Sequence, residues 1–127
     1  MLSITALYAG LLGLLLIGVA FPAGQMRGRK NIPVGDGGDM ELLVAMRRHA
    51  NFVEYVPVAL ILIGVLELNQ VPGTVLHTLG ATLVFARICH AYGIRSDTMK
   101  VPARFIGASL TALVVVVSSV WAIVIAL

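Results

Sequence analysis

Charged residues are scarce in this sequence. Asp, Glu, Lys and Arg together make up 12% of its 127 residues, whereas a soluble domain carries about 25%. So few charges cannot cover a water-exposed surface, and 59% of the residues are hydrophobic. The composition therefore predicts a single membrane-embedded domain.

Cysteine, metal-ligand motifs and catalytic motifs are also nearly absent. The single cysteine, Cys89, excludes an intramolecular disulfide. The histidines do not cluster, the glycines of GDGGD follow no strand, and no nucleophile triad is present. We therefore expect no metal site and no phosphate loop. The net charge of +3 does not indicate nucleic acid, because the basic residues are confined to the ends of apolar runs.

Long apolar runs are what the sequence does contain. Helices are predicted at about residues 2–21, 39–67, 73–94 and 102–127, each long enough to cross a bilayer. The Gly- and Pro-rich residues 22–38 are predicted to form a loop, and Asp39 with Glu41 is predicted to begin the second helix. The first run has no preceding Lys or Arg and exceeds the length of a signal-peptide core, so we expect a retained span.

Positive charges mark one side of the predicted bundle. The nine Lys and Arg residues all lie in or beside the first and third connections. They are Arg27, Arg29, Lys30, Arg47, Arg48, Arg87, Arg95, Lys100 and Arg104. The positive-inside rule predicts that these connections are cytoplasmic and that both termini lie outside.

A polar stripe runs along the second predicted helix. Its members, Arg47, Asn51, Glu54 and Tyr55, fall within about 100° of one another around the helix axis. An ionisable group at membrane depth usually faces a partner or a cavity. Two interpretations are open: Glu54 forms an ion pair with Arg47 or Arg87, or the stripe binds a zwitterionic ligand, with Arg47 on a carboxylate and Glu54 on an ammonium.

Two further sets of polar residues accompany the stripe. Arg87 and His90 are three residues apart and share a face of the third helix. His90 is suited either to donate a hydrogen bond to a ligand or to join neighbouring helices. Arg104 opens the fourth helix, where an arginine can anchor a span at the membrane surface.

The stretch RRHANFVEYVP at residues 47–57 resembles the second-helix signature of the MAPEG proteins, the membrane-associated proteins in eicosanoid and glutathione metabolism. In that signature, an Arg is followed by Asn, Glu, Tyr and Pro at the same spacing. VGDGGDMEL and FARICHAYG are similar to the bacterial branch of the family. The similarity covers essentially the whole chain.

The resemblance implies homotrimers of four-helix subunits that bind glutathione between subunits, near the cytoplasmic face. It implies glutathione contacts for Arg27, Arg47, Asn51, Glu54, Tyr55 and Arg87. It also implies that Arg104 is the catalytic residue, which stabilises the thiolate. His90, which can donate a hydrogen bond, is the further residue that we expect to contact glutathione. Well-defined enzymes of the family carry tyrosines on the third helix where this chain has His90 and Ile94.

We therefore expect an integral protein of the bacterial inner membrane that uses glutathione as co-substrate and no metal. The expected activity is glutathione transferase or peroxidase towards lipophilic electrophiles that arrive through the bilayer. The expected partners are membrane lipid, a lipophilic small molecule and other copies of the chain. The alternative is a non-catalytic lipid-binding or scaffold protein with structural ion pairs. Transport has less support, because the predicted first helix, residues 2–21, carries no charge.

Overall fold

The chain forms a bundle of four helices and no strands in the residues that the computed structural model describes, 1–94 and 101–127. The helices are α1 (Ser3–Lys30), α2 (Met40–Leu68), α3 (Gly73–Gly93) and α4 (Pro102–Ala126). Each is long and apolar enough to cross a membrane, which confirms the prediction of an all-helical membrane fold. Arg95 and Lys100, two of the positive charges counted above, lie outside the described residues.

The first helix is longer than the sequence predicted, and the prediction of a loop from residue 22 is wrong. α1 continues through Pro22 and ends at Lys30. A membrane helix tolerates proline because neighbouring helices and local adjustments satisfy the freed backbone groups. The helix ends at Asn31, which adopts a left-handed conformation (φ 53°) and donates its N–H to the Arg27 carbonyl. The first connection therefore covers residues 31–39.

The start of α2 is as predicted, and it is joined to the end of α1. Asp39 is the N-cap, and its Oδ1 accepts the N–H of Leu42 at 2.9 Å. Lys30 Nζ bonds Asp39 Oδ2 at 2.6 Å and Glu41 Oε2 at 2.9 Å. The bonds from Lys30 and Leu42 hold the pKa of Asp39 below its usual value. The cap is therefore charged at neutral pH and is lost only as the pH falls through that lowered value.

The middle of the bundle is formed by α2 and α3. α1 packs on both of them and so does α4, whereas α1 and α4 do not touch within the described residues. Leu12, Ile63, Leu76 and Leu83 are at most 1% exposed in the core. The outer faces of α1 and α4 carry many exposed large hydrophobic residues, as expected of helices that face lipid.

Glycines allow two close helix contacts. A Cβ at Gly107 of α4 would lie 2.5 Å from both the Ala86 carbonyl oxygen and the His90 backbone nitrogen of α3. Gly80 of α3 similarly receives the ring of Tyr8 from α1, and the Tyr8 hydroxyl donates to a carbonyl on α3 at 3.0 Å. Small residues let membrane helices approach until their backbones touch, so these positions set the α3–α4 and α1–α3 distances.

The C-terminal end of α2 caps the N-terminus of α1. The Glu67 carboxylate accepts the backbone N–H groups of Ile4 at 2.9 Å and Thr5 at 2.7 Å. The N-cap residue of α1, Leu2, has no side-chain acceptor of its own. An anion at a helix N-terminus satisfies free donors and complements the helix dipole. Glu67 of α2 therefore supplies the cap that α1 lacks.

Glu67→Gln is expected to lower the free energy of unfolding by about 1 kcal/mol, the usual effect of weakening an N-cap. Reversible unfolding in mixed micelles, followed by circular dichroism, measures the change. Glu41→Gln is the matched control: it removes an acid of the same helix whose ion pair is exposed, and its effect should be clearly smaller. Equal effects of the two substitutions would contradict the capping role.

Gly107→Ala is expected to lower the free energy of unfolding by about 1–3 kcal/mol, because the added methyl group forces two backbones apart. Gly18→Ala, in an open position of α1 with no atom within 4 Å of the new Cβ, should be neutral or stabilising. The same unfolding measurement compares the two. If Gly107→Ala leaves the free energy of unfolding unchanged, α3 and α4 can move apart without loss of stability, which would contradict the prediction.

Candidate functional site

Two pockets lie side by side between α2, α3 and α4. The first, here called the basic pocket, has a volume of about 250 Å³; its lining residues are Met40, Leu43, Val44, Arg47, Asn51, His90, Ile94 and Arg104. The second, here called the lateral pocket, has a volume of about 240 Å³; its lining residues are Asn51, Tyr55, Arg87, His90, Ala108, Thr111 and Ala112. Asn51 and His90 belong to both and therefore form the wall between them.

The basic pocket lies at the end of the bundle that carries the first and third connections. Arg47 enters it from the early turns of α2, Arg104 from the first turn of α4, and Ile94 from the end of α3. Among the described residues that line it, none carries a carboxylate. Two guanidinium groups in one pocket create a positive potential that attracts anions.

The lateral pocket is built around a buried arginine. Arg87 is 1% exposed, and its Nη2 donates to Asn51 Oδ1 at 2.7 Å. Nη1 lies 3.5 Å from the Thr111 hydroxyl, and the guanidinium carbon lies 5.4 Å from the centre of the Phe52 ring. Nε has no hydrogen-bond partner in the part of the chain that the structure describes. The guanidinium group is thus held mainly by neutral groups.

Arg87 fixes the orientation of the two residues that separate the pockets. A guanidinium group only donates hydrogen bonds, so Asn51 must turn its Oδ1 towards Arg87 and its NH₂ group away from it. His90 Nδ1 lies 3.4 Å from Arg87 Nη2, and it must accept for the same reason, which leaves the proton on Nε2. Both wall residues are therefore oriented before any ligand binds.

The rim of the basic pocket is held by contacts between helix ends. Arg48 of α2 donates from Nε and Nη2 to the Ile94 carbonyl, at 3.0 and 2.6 Å, and so caps the C-terminus of α3. Gly93 lies so close to the Arg104 backbone that a Cβ has no room. The position of Arg104 relative to α3 therefore depends on a glycine. Neither Arg48 nor Gly93 could be given a role from the sequence, because no local pattern reveals such long-range partners.

The structure brings most of the predicted site residues together. The residues that line one pocket or both are Arg47, Asn51, Tyr55, Arg87, His90 and Arg104. Glu54 is exposed on α2 and lines neither pocket. Arg27 donates to the carbonyls of Ile32 at 3.3 Å and Pro33 at 3.2 Å and thereby holds the first connection. Glu54 and Arg27 stay predicted ligand residues that a single chain does not place at the pockets.

The ion-pair interpretation of Glu54 finds no support within one chain. The ion pairs among the described residues are those of Lys30 with Asp39 and Glu41. Arg47 therefore has no acid partner there, and Arg87 bonds Asn51 instead. The charges of Arg47 and Arg87 are thus balanced by no carboxylate from the described part of the chain.

Comparison with known proteins gives the same family as the second-helix motif. The MAPEG family model matches residues 5–124. Proteins named inner membrane protein YecN, from two Escherichia coli strains, are 34% identical over 119 residues, which cover 93% of this chain and 91% of each relative. With four apolar spans, this similarity supports an integral inner membrane protein. The chain belongs to the MAPEG family.

Proposed function

We propose that this protein binds glutathione in the basic pocket and acts as a glutathione transferase or peroxidase towards lipophilic electrophiles. The observation that carries the proposal is the convergence of Arg47, Asn51 and Arg104 from two helices on one pocket. Membership of the MAPEG family suggests a glutathione-related membrane function, and this pocket is where the chain offers groups that match the tripeptide.

The groups of the basic pocket match those of glutathione. The planar guanidinium of Arg47 suits a carboxylate, which it can hold with two parallel hydrogen bonds. The Asn51 NH₂ group, turned away from Arg87, can donate to a peptide carbonyl, and His90 Nε2 offers a second donor. Arg87 itself lies behind Asn51, so we assign it a positioning role towards glutathione.

Arg104 is the residue that we assign to the chemistry. A cation beside a thiol lowers its pKa and raises the fraction of thiolate, which is the nucleophile. In the transferase reaction the sulfur lone pair forms the new C–S bond, the leaving group departs with the electron pair, and the thiol proton goes to solvent. In the peroxidase reaction, two glutathione molecules become a disulfide while a hydroperoxide becomes an alcohol and water.

Glu54 and Arg27 are proposed to act only in an assembly. Glu54 is an exposed carboxylate on an apolar span, a position that is costly without a partner. In a homotrimer, it would meet the ligand or a cation of another copy. Tyr55 is exposed at the edge of the lateral pocket, and we propose that it belongs to the same interface.

A non-catalytic lipid-binding or scaffold protein is the competing function. The observation in its favour is that Arg87 joins α2, α3 and α4 through its contacts with Asn51 and Thr111. In that case the polar residues serve helix packing, and thiol ligands leave the protein unaffected. The two functions differ in the response of the folded protein to glutathione.

Millimolar glutathione is expected to raise the melting temperature of the purified protein, because a ligand that binds only the folded state stabilises it by about 2.7 kcal/mol at a hundred times its dissociation constant. In Arg47→Ala the affinity should fall roughly tenfold to a hundredfold, since a charge-assisted hydrogen bond contributes about 1.5–3 kcal/mol. Arg29→Ala, which removes an equal charge outside the pockets, should respond like wild type.

Absence of any glutathione response in the wild type, with Arg47→Ala itself strongly destabilised, would favour the scaffold function. If Arg29→Ala loses as much glutathione affinity as Arg47→Ala, the general positive charge of the surface, and not the basic pocket, is responsible for glutathione binding.

Arg104→Gln and Gly93→Ala are both expected to raise the pKa of the bound glutathione thiol towards the free value of about 8.5. The first removes the cation and the second displaces it, because the new methyl group meets the Arg104 backbone. The ultraviolet absorbance of the thiolate as a function of pH measures the shift, and turnover of a model electrophile should fall in parallel. Glutathione affinity should fall less than in Arg47→Ala. An unchanged thiol pKa in both variants would remove Arg104 from the chemistry.

A further inference from the structure

The lateral pocket holds a positive charge that no acid in the described chain neutralises. Arg87 is 1% exposed, and its Nε has no hydrogen-bond partner among the described residues. The side chains that it contacts include no acid; they are Asn51, His90, Thr111 and the Phe52 ring. An uncompensated buried charge is costly, so the pocket is suited to stabilise a negative charge beside Arg87.

The basic and lateral pockets lie on either side of one pair of side chains. Arg104 lines only the basic pocket and Arg87 only the lateral pocket, whereas Asn51 and His90 line both. Arg87 Nη2 lies 2.7 Å from Asn51 Oδ1 and 3.4 Å from His90 Nδ1, so one nitrogen atom contacts both wall residues. A molecule bound where the pockets adjoin therefore has a guanidinium group on each side of it.

A displacement reaction moves negative charge from one side of the reacting carbon to the other. The thiolate approaches the carbon in line with the bond that breaks, and the leaving group departs on the opposite side. The charge begins on the sulfur and ends on the leaving group. A fixed cation at the place where the charge develops stabilises the transition state more than the bound substrate. Two arginines on opposite sides of the wall suit this movement of charge.

We propose that Arg87 stabilises the anionic leaving group of the electrophile and that the lateral pocket is the leaving-group site. This inference rests on the proposed function, in which the sulfur lies beside Arg104 in the basic pocket. The sulfur lone pair forms the new C–S bond, the carbon–halogen bond breaks, and its electron pair departs on the halide beside Arg87. The thiol proton has already gone to solvent, so thioether and halide are the products and no further reactant is needed.

The surroundings of Arg87 favour an anion that forms in the pocket over one that enters it already charged. Ala108 and Ala112, which line the pocket, are exposed on a helix with the composition of a membrane span. A free anion pays a high cost to enter such an apolar layer, whereas the leaving group of a neutral electrophile carries no charge until its bond breaks. The substrates that suit the site are therefore lipophilic electrophiles that react by displacement, such as organic halides.

Three halides that share one carbon skeleton test the proposal: 4-nitrobenzyl chloride, bromide and iodide. Their kcat/KM values report the steps through bond cleavage. Chloride is the poorest leaving group and gains most from a cation beside it. In Arg87→Gln we expect kcat/KM for the chloride to fall roughly tenfold to a hundredfold, the usual effect of losing a hydrogen bond to a charged group. The iodide should lose less, so the iodide-to-chloride ratio should rise. Arg87→Lys, which keeps the charge, should keep the ratio near that of the wild type.

Arg104→Gln is the contrasting variant, because Arg104 acts on the sulfur. It should slow all three halides by a similar factor and leave the iodide-to-chloride ratio unchanged. A residue that only maintained the fold would also slow the three halides alike, so the ratio separates a leaving-group role of Arg87 from a structural one. A ratio in Arg87→Gln equal to that of the wild type would overturn the proposal.

Ala112→Leu tests the site with Arg87 still in place, and it serves even if Arg87→Gln fails to fold. The larger side chain fills part of the lateral pocket and keeps the leaving group away from Arg87, so the iodide-to-chloride ratio should rise. Val116→Leu, one turn further along the exposed face of α4 and outside the pocket, is the matched control and should keep the wild-type ratio. An unchanged ratio in Ala112→Leu would overturn the proposal.

The response to glutathione separates failure of this inference from failure of the proposed function. If glutathione raises the melting temperature and the halides react with a ratio that does not depend on Arg87, the proposed function stands and the leaving-group role is overturned. If glutathione has no effect and the wild type turns over none of the halides, both are overturned.

Discussion

The burial of the Arg87 guanidinium is the constraint on which the site depends. A charge inside an apolar bundle must be hydrogen-bonded, and Arg87 bonds Asn51 of α2 and contacts Thr111 of α4 and His90 of its own helix. Three helices are thereby fixed around one side chain. The basic and lateral pockets are the spaces on either side of this network, so both share its residues as a wall.

Close backbone packing makes this network possible. Gly107 lets α4 touch α3 beside Ala86 and His90, which places Thr111, one turn later, within reach of Arg87. Gly93 likewise allows the start of α4 to lie against the end of α3. A helix pair held further apart by side chains would leave the guanidinium without its α4 contact and would open the wall between the pockets.

The number and type of helices could be predicted from the sequence because the thickness of the bilayer sets the length of an apolar span. The end of α1 could not, because the effect of Pro22 depends on whether water or protein surrounds it. Helical periodicity correctly grouped Arg47 with Asn51 and Arg87 with His90. It left Arg48 outside the polar stripe, but it could not show that Arg48 caps α3 at a residue 46 positions later. It also could not show that Glu54 lies on the exposed side of α2. Glu54 and Arg47 are separated by only about 20° around the helix axis, and an angle that small does not tell a pocket-lining residue from an exposed one.

The distribution of the acids in the described part of the chain explains why the pockets are positive. Asp39 and Glu41 bind Lys30, Glu67 caps α1, and Glu54 is exposed on α2. Each of these acids has either a structural partner or a position away from the pockets. Arg47 and Arg87 therefore keep their charge available to a ligand. In a chain with so few charges, the basic residues beside the first and third connections also give the pockets their positive charge.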